Sequence, residues 1–249
     1  MTLKNCIATT EHKKVYLEEG TAIKVFEDSY PKAEVLYEAL NTARVEDCGI
    51  NMPKVQEVTK IDGKWSIVMD YIEGDTLFDL MKKNPNKCDE YIEKMVNLQL
   101  DIHEKRVPLL NKLKDKIVRQ IEENDVIDSA RKYELLTRLD GMPNHVKLCH
   151  GDFGPKNIIV TKDGEWYVID WVHVASGNAS ADAARTYLLI ALDSMEYADK
   201  YLDLFCEESG TNKRYVQQWM PIVAAAQLTK KRPEERELLL KWVDVFDFQ

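Results

Sequence analysis

The octapeptide His150-Gly151-Asp152-Phe153-Gly154-Pro155-Lys156-Asn157 decides how the rest of the chain is read, and Ile169-Asp170-Trp171 answers it shortly afterwards. Between them lie the apolar run Ile158-Ile159-Val160, a turn signal at Lys162-Asp163-Gly164 and a second run, Trp166-Tyr167-Val168-Ile169. Two short apolar runs flanking an Asp-Gly turn read as a β-hairpin, and a hairpin returns Asp170 beside Asn157. A carboxylate before the hairpin, an amide at its entrance and a second carboxylate at its exit make an oxygen-rich cluster. Oxygen donors suit Mg²⁺, which keeps several waters and commonly sits on phosphates with one or two carboxylates. A solvated acidic turn is the ordinary explanation of an Asp-Gly site. It does not explain why hydrophobic strands bring Asp152, Asn157 and Asp170 to one end.

The chain has 249 residues, enough for one large domain or two small lobes with a real core. A hydrophobic fraction of 45% and a charged fraction of 31% are ordinary for a globular protein. The net charge of −9 argues against a nucleic-acid partner. It leaves room for a cationic substrate, although net charge alone more often serves solubility. Cysteines 6, 48, 88, 149 and 206 are odd in number, far apart and free of any C-x-x-C, so neither a disulfide framework nor a zinc site is indicated. The N-terminus lacks a signal-peptide apolar core and no apolar run approaches bilayer length. The expectation is a cytoplasmic protein with no membrane partner.

Upstream, the pattern is strand-rich. Val15-Tyr16-Leu17, a Glu19-Gly20 turn and Thr21-Ala22-Ile23-Lys24-Val25-Phe26 read as a hairpin. Alternation puts Ala22, Lys24 and Phe26 on one face. A lysine among apolar neighbours there usually snorkels to solvent. The sharper reading is a lysine reaching a bound phosphate, with small Ala22 leaving room for a flat ligand. Pro31 suits the first turn of a helix to about Arg44, with Ala33, Leu36, Tyr37 and Leu40 on its apolar side. Glu34 and Glu38 lie one turn apart on it, and either could pair with Lys24. Strands at Lys54–Ile61 and Trp65–Tyr71 complete a small antiparallel sheet. At Ile72-Glu73-Gly74-Asp75 the strands stop, which marks a boundary between residues 1–72 and 73–249.

Beyond it the chain is mostly helical. Ile92, Met95, Val96, Gln99 and Ile102 recur at helical spacing over Asp89–His103, and His103 falls near that stripe as a hydrogen-bonded core histidine. Helices are expected over 111–124 and over 126–140, the latter stopped by Gly141-Met142-Pro143. Ser180 is expected to cap a helix through Ala191. Further helices are expected over 195–208 and over 213–229, the latter interrupted at Pro221. A last one starts at Pro233 and buries Leu238, Leu239, Trp242, Val243 and Phe246.

His150-Gly151-Asp152-x-x-x-x-Asn157 followed by Ile169-Asp170 resembles the signature of the aminoglycoside phosphotransferase/choline kinase family of small-molecule kinases. Its spacing equals that of the protein-kinase H-R-D-L-x-x-x-N loop. Ala22-Ile23-Lys24 resembles the V-A-I-K strand, and Met69-Asp70-Tyr71-Ile72-Glu73-Gly74-Asp75-Thr76-Leu77 resembles the family's hinge. Gly177 and Asp182-Ala183-Ala184 resemble its Gly-x(n)-Asp-x-Ala element. The resemblance runs from about residue 7 to about 190 and implies an α+β, two-lobed protein-kinase-like fold. Residues 1–72 would be the nucleotide-binding lobe, with an antiparallel sheet and one helix. Residues 73–249 would be a mostly helical lobe for catalysis and substrate binding.

The resemblance further implies ATP, with GTP the alternative, as phosphate donor to a hydroxyl of a small molecule. Asp152 would be the catalytic base, Asn157 and Asp170 the Mg²⁺ ligands, and Lys24 the phosphate-holding lysine. Glu34 would position Lys24, with Glu38 as the alternative. Ala22 and Met69 would line the adenine pocket, and the backbone of Asp70 and Ile72 would read the base edge.

Three departures refine this. Gly151 and Gly154 stand where a protein kinase carries the Arg and Lys of its catalytic loop, and Trp171-Val172 replaces Phe-Gly. Both point to a small acceptor. The stretch Ala8–Lys14 has no glycine where a phosphate loop would lie, so close backbone approach is less easy there. For the acceptor, an amino sugar or aminoalcohol is favoured slightly over a neutral sugar. Glu122, Glu123, Asp125, Glu207, Glu208 and Asp247 are the acids that could meet an amine. The competing class is a kinase-fold nucleotide-binding scaffold without turnover, which has no need of Asp152. A metal-dependent hydrolase using His150 and Asp152 lacks further ligands.

Overall fold

In the computed structural model residues 3–244 are described. Phe246 and Asp247 lie outside them. The chain runs β1 (Cys6–Thr9), β2 (Lys13–Glu18), β3 (Thr21–Phe26), α1 (Lys32–Val45), β4 (Val55–Ile61), β5 (Lys64–Asp70) and β6 (Asp75–Thr76). Next come α2 (Leu77–Lys83), α3 (Cys88–Glu104), α4 (Leu113–Glu123), α5 (Ser129–Gly141), β7 (Lys147–Cys149), β8 (Ile158–Val160), β9 (Trp166–Val168) and β10 (Ala175–Gly177). The chain ends in α6 (Ala179–Ala191), α7 (Met195–Ser209), α8 (Lys213–Leu228) and α9 (Pro233–Val243). This is the α+β arrangement expected, an N-terminal antiparallel sheet followed by helices. No described helix is long and apolar enough to cross a membrane.

Residues divide into two units, Met1–Asp79 with Lys156–His173, and Leu80–Pro155 with Val174–Gln249. The first unit is built on the sheet β1-β2-β3-β5-β4. Its β2–β3 turn is Glu19-Gly20, both at positive φ (47° and 80°), and Glu18 pairs with Thr21. Such a two-residue turn matches the strand twist and fixes the register of everything behind it.

Helix α1 lays Val35 and Ala39 on a core of Ala22, Phe26, Ile67 and Met69. This corrects the apolar side expected from the sequence. Leu36 and Leu40 are exposed, and the buried face is Val35, Glu38, Ala39, Asn41, Thr42 and Val45. Polar residues can occupy it because each finds a partner. Asn41 Nδ2 donates to the Val172 carbonyl (3.0 Å), and Thr42 Oγ1 donates to the Glu38 carbonyl (3.0 Å). Hydrogen-bonded polar burial costs little, so partners outweighed the hydrophobic stripe.

The same unit contains the small sheet β6-β8-β9, where Ile158 faces Val168 and Ile159 faces Tyr167. The hairpin expected between Asn157 and Asp170 therefore forms.

In the second unit, α6 packs on α7 and α8, and α8 packs on α9. Helix α8 is continuous through Pro221 rather than interrupted there. An interior proline costs about 3 kcal/mol. Burial of Trp219, Met220, Ile222 and Val223 around it, at about 1.5–3 kcal/mol for each large side chain, exceeds that cost. Asn178, not Ser180, caps α6, its side chain accepting from the Ser180 amide at 2.9 Å. Strand β10 pairs with β7, and Gly177 at its end leaves no room for a side chain. An added Cβ would lie 2.4 Å from Leu113 Cβ.

Candidate active site

In the first unit, Lys24 comes from the middle of β3 and Glu38 from α1. Lys24 Nζ donates to Glu38 Oε1 at 2.7 Å and to Asp170 Oδ1 at 3.1 Å. Burial alone would lower the Lys24 pKa, but Asp170 and Glu38 more than offset it and hold the ammonium above its ordinary pKa. Asp170 is the mirror case. Burial opposes its ionisation, while Lys24, Lys13 and His173 hold the carboxyl well below its ordinary value of 3.8. Such cross-coupling keeps Lys24 and Asp170 charged at neutral pH.

The acid that meets Lys24 is Glu38, not Glu34, which corrects the order of preference read from the sequence. Glu34 sits one turn earlier and is exposed, whereas Glu38 is only 2% exposed. The choice follows from which face of α1 lies on the sheet.

Sequence reasoning missed Lys13. Its Nζ donates to Glu38 Oε2 at 3.2 Å and lies 3.7 Å from Asp170 Oδ1. The signal was available. Counting back from the Glu19-Gly20 turn pairs Val15 with Lys24 and Lys13 with Phe26, so alternation puts Lys13 on the face that carries Lys24.

Asp170 follows β9 with φ 64°, a left-handed conformation that a non-glycine residue adopts at some cost. The hairpin holds it there. The Ile169 amide donates to the Asn157 carbonyl (2.9 Å), and Trp171 Nε1 donates to the Val168 carbonyl (3.0 Å). Asn157 ends the short 3₁₀ turn Pro155–Asn157, directly before β8. Asp170 keeps 29% of its side chain exposed while Lys24 takes Oδ1. A carboxylate and an amide at the two ends of one hairpin are hard oxygen donors, and that donor chemistry fits Mg²⁺.

Ala22 and Met69 pair across β3 and β5 and are both buried. Asp70 ends β5. Its amide donates to the Lys54 carbonyl (3.0 Å), and its carboxylate accepts from the Lys54 amide (3.0 Å) and Gln56 Nε2 (2.8 Å). Ile72, partly buried, lies in the extended segment that follows.

In the second unit, Asp152 sits in the loop after β7. The amide of Asp152 donates to His150 Nδ1 (3.2 Å), so His150 braces the loop and is fully buried. Gly151 has φ 80°, which a side chain there would resist. The loop is anchored from α6. Asp182 accepts from the amides of Gly151 (2.7 Å) and His150 (3.3 Å), and also from Gln99 Nε2 (3.2 Å). His103 Nε2 lies 3.0 Å from the same carboxylate, the core role expected of it. Burial opposes Asp182 ionisation, but His103 and the Gly151 amide hold it below its ordinary value. Asp152 itself meets cations. Arg185 Nη2 donates to Oδ1 at 2.9 Å, and Lys230 Nζ lies 3.8 Å from that oxygen. Neither Arg185 nor Lys230 was singled out from the sequence, because no spacing links them to Asp152.

A protein-family model described as the phosphotransferase enzyme family matches residues 8–219. No curated protein sequence matches the chain. Many solved structures share its fold. A thermostable mutant of aminoglycoside phosphotransferase APH(4)-Ia is 16% identical with a TM-score of 0.71, the match covering 97% of this chain and 91% of that one. LicA in complex with AMP is 15% identical with a TM-score of 0.67, covering 98% and 91%. Aminoglycoside phosphotransferase APH(2'')-Ib, bound to ADP, is 16% identical with a TM-score of 0.63, covering 98% and 92%. The chain belongs to the phosphotransferase enzyme family. It is a kinase that transfers phosphate to a hydroxyl.

Proposed function

We propose that this protein is an ATP- and Mg²⁺-dependent small-molecule kinase in which Asp152 receives the acceptor hydroxyl. The observation that carries the reading is the Lys24 ammonium held between Glu38 and Asp170, at 2.7 and 3.1 Å. A lysine fixed in this way offers its charge to phosphate without having to reorganise, which is where electrostatic catalysis gains most. Residues 1–72 hold the nucleotide. Ala22 and Met69 flank the adenine, the backbone of Asp70 and Ile72 reads its edge, and Lys24 with Lys13 faces the phosphates. Residues 73–249 hold the acceptor and the catalytic loop.

Asn157 and Asp170 are the residues that would hold Mg²⁺, which when bound neutralises charge on the transferring phosphate. Asp152 positions the hydroxyl in line and takes its proton. Phosphoryl transfer is loose in most analyses, so the proton leaves late and the carboxylate need not be strongly basic. Positioning is the larger contribution. Asp182 fixes that position through the amides on either side of the His150–Gly151 bond.

The test is Asp152→Ala assayed for ADP release and, separately, for binding of a fluorescent ATP analogue. Turnover should fall by at least about 10³-fold with nucleotide affinity within about 3-fold. Unchanged phosphoryl transfer would overturn the assignment. Chelation should stop the wild-type reaction, and added Mg²⁺ should restore it.

A further inference from the structure

The surroundings of Asp152 within its own unit are more basic than its role requires. Arg185, from α6, spans two carboxylates. Its Nη2 donates to Asp152 Oδ1 at 2.9 Å, and its Nη1 donates to Glu235 Oε2 at 2.8 Å. Arg232, at the start of α9, also donates to Glu235, at 2.8 Å. Glu235 is therefore shared between two arginines. Lys230, in the turn between α8 and α9, approaches Asp152 at 3.8 Å, too far for a hydrogen bond. Its Nζ is buried with no hydrogen-bond partner, and Arg185 Nε is in the same condition.

Lys116 reaches the same neighbourhood from α4. Lys116, Gly151, Arg185 and Gln227 line one small pocket, and Gln227 also lines a larger cavity of about 390 Å³ with Lys231, Arg232 and Arg236. The nearby acid Asp182 is committed to the loop amides and to Gln99 and His103. Charge is thus unbalanced in favour of cations. Burial, with Arg185, Arg232 and Lys116 close by, brings Lys230 down to about 7 despite the opposing pull of Asp152. Burial likewise lowers Lys116 to about 8. The buried Lys230 ammonium, which makes no hydrogen bond, is costly, and the cost is recovered when an anion arrives.

Of the acids that could meet an amine, only Asp125 among the described residues lines the larger cavity. Glu122, Glu123, Glu207 and Glu208 are exposed, and Asp125 pairs with Lys231 at 2.7 Å. An acceptor amine next to Asp152 would meet Lys230 and Lys116 as like charges.

We infer that the acceptor carries an anionic group, a carboxylate or a phosphate monoester, beside the hydroxyl it presents to Asp152, and that Lys230, with Lys116 and Arg232, is the seat of that anion. The inference rests on Asp152 being the residue that receives the hydroxyl. It replaces the cationic acceptor suggested by the family resemblance and the net charge.

The experiment has two arms on the full chain. The first offers Mg·ATP with matched acceptors: hydroxy acids such as glycerate, sugar monophosphates, the neutral polyols and sugars related to them, and aminoalcohols and amino sugars. Anionic acceptors should exceed their neutral counterparts by at least about 10-fold in kcat/KM. Lys230→Met should collapse that ratio by about 10-fold or more through KM, and Lys230→Arg should restore most of it. The hydroxy-acid and sugar-phosphate sets tell the two anions apart. Preference for amines, or an equal loss for neutral and anionic acceptors in Lys230→Met, would overturn the inference.

The second arm needs no turnover. Thermal unfolding is followed with glycerate, a sugar monophosphate or inorganic phosphate against sodium chloride of equal ionic strength. Stabilisation by one of these anions that persists in Asp152→Asn and disappears in Lys230→Met supports the anion seat even if Asp152 proves not to be the base. No anion-specific stabilisation, or stabilisation unaltered in Lys230→Met, overturns it. Turnover that survives in Asp152→Asn counts against the reading of Asp152 alone.

Discussion

Lys24 Nζ lies 2.7 Å from Glu38 Oε1, and this pair joins the central strand of the N-terminal sheet to the only helix that packs on its core cluster among the described residues. The relationship discriminates between two acids that are one helical turn apart. Glu38→Gln should raise the nucleotide KM by about 10-fold or more and cost about 1–3 kcal/mol of stability, because a buried charge loses its partner. Glu34→Gln, at an exposed position, should change neither by more than about 2-fold. Steady-state kinetics with varied ATP, together with urea unfolding, compares them.

Lys13 provides a second cation on the same carboxylates. Lys13→Met should weaken nucleotide binding by about 3- to 10-fold while leaving kcat nearly unaltered, since Lys24 retains both of its acids. Titration with a fluorescent ATP analogue reads the loss directly.

Asp182 makes stability depend on pH in a definite direction. Its carboxyl is held below the ordinary value of 3.8 in the folded protein, so unfolding takes up a proton in acid. Its contribution is fully present above about pH 4 and is lost as pH falls below that value. Asp182→Asn should be less stable at pH 7 and should lose less further stability between pH 5 and 3 than the wild type. Urea midpoints across that range check the slope.

Gly177 tests packing rather than charge. A Cβ there would lie 2.4 Å from Leu113 Cβ, so Gly177→Ala should destabilise by about 1–3 kcal/mol. Leu113→Gly in the same chain, which removes that Cβ, should return part of that loss, a non-additivity expected of residues in contact. Thermal unfolding of the two single variants and the double variant measures it.

Local pattern carried a large part of this protein into the sequence. The hairpin after Asn157 was legible because apolar runs flank an Asp-Gly turn, and the early hairpin because Glu19-Gly20 fixes its own register. From that register even Lys13 could have been placed beside Lys24. What the sequence could not supply was the choice of face on α1. Its leucines at 36 and 40 form the better hydrophobic stripe, yet the helix buries Glu38 and Asn41, because their partners Lys24 and the Val172 carbonyl come from distant chain.

The same distinction separates the catalytic loop from its setting. Asn157 and Asp170 stand at the two ends of one hairpin, and its backbone geometry alone relates them. Arg185 and Lys230 meet Asp152, and Glu235 and Arg232 join them through Arg185, only because α6, the α8–α9 turn and α9 converge on one loop. Spacing in sequence reports contacts that a turn can close, and says nothing of charges assembled by helix packing. The reaction was therefore readable from the chain, and the charge gathered around Asp152 was set by the tertiary structure.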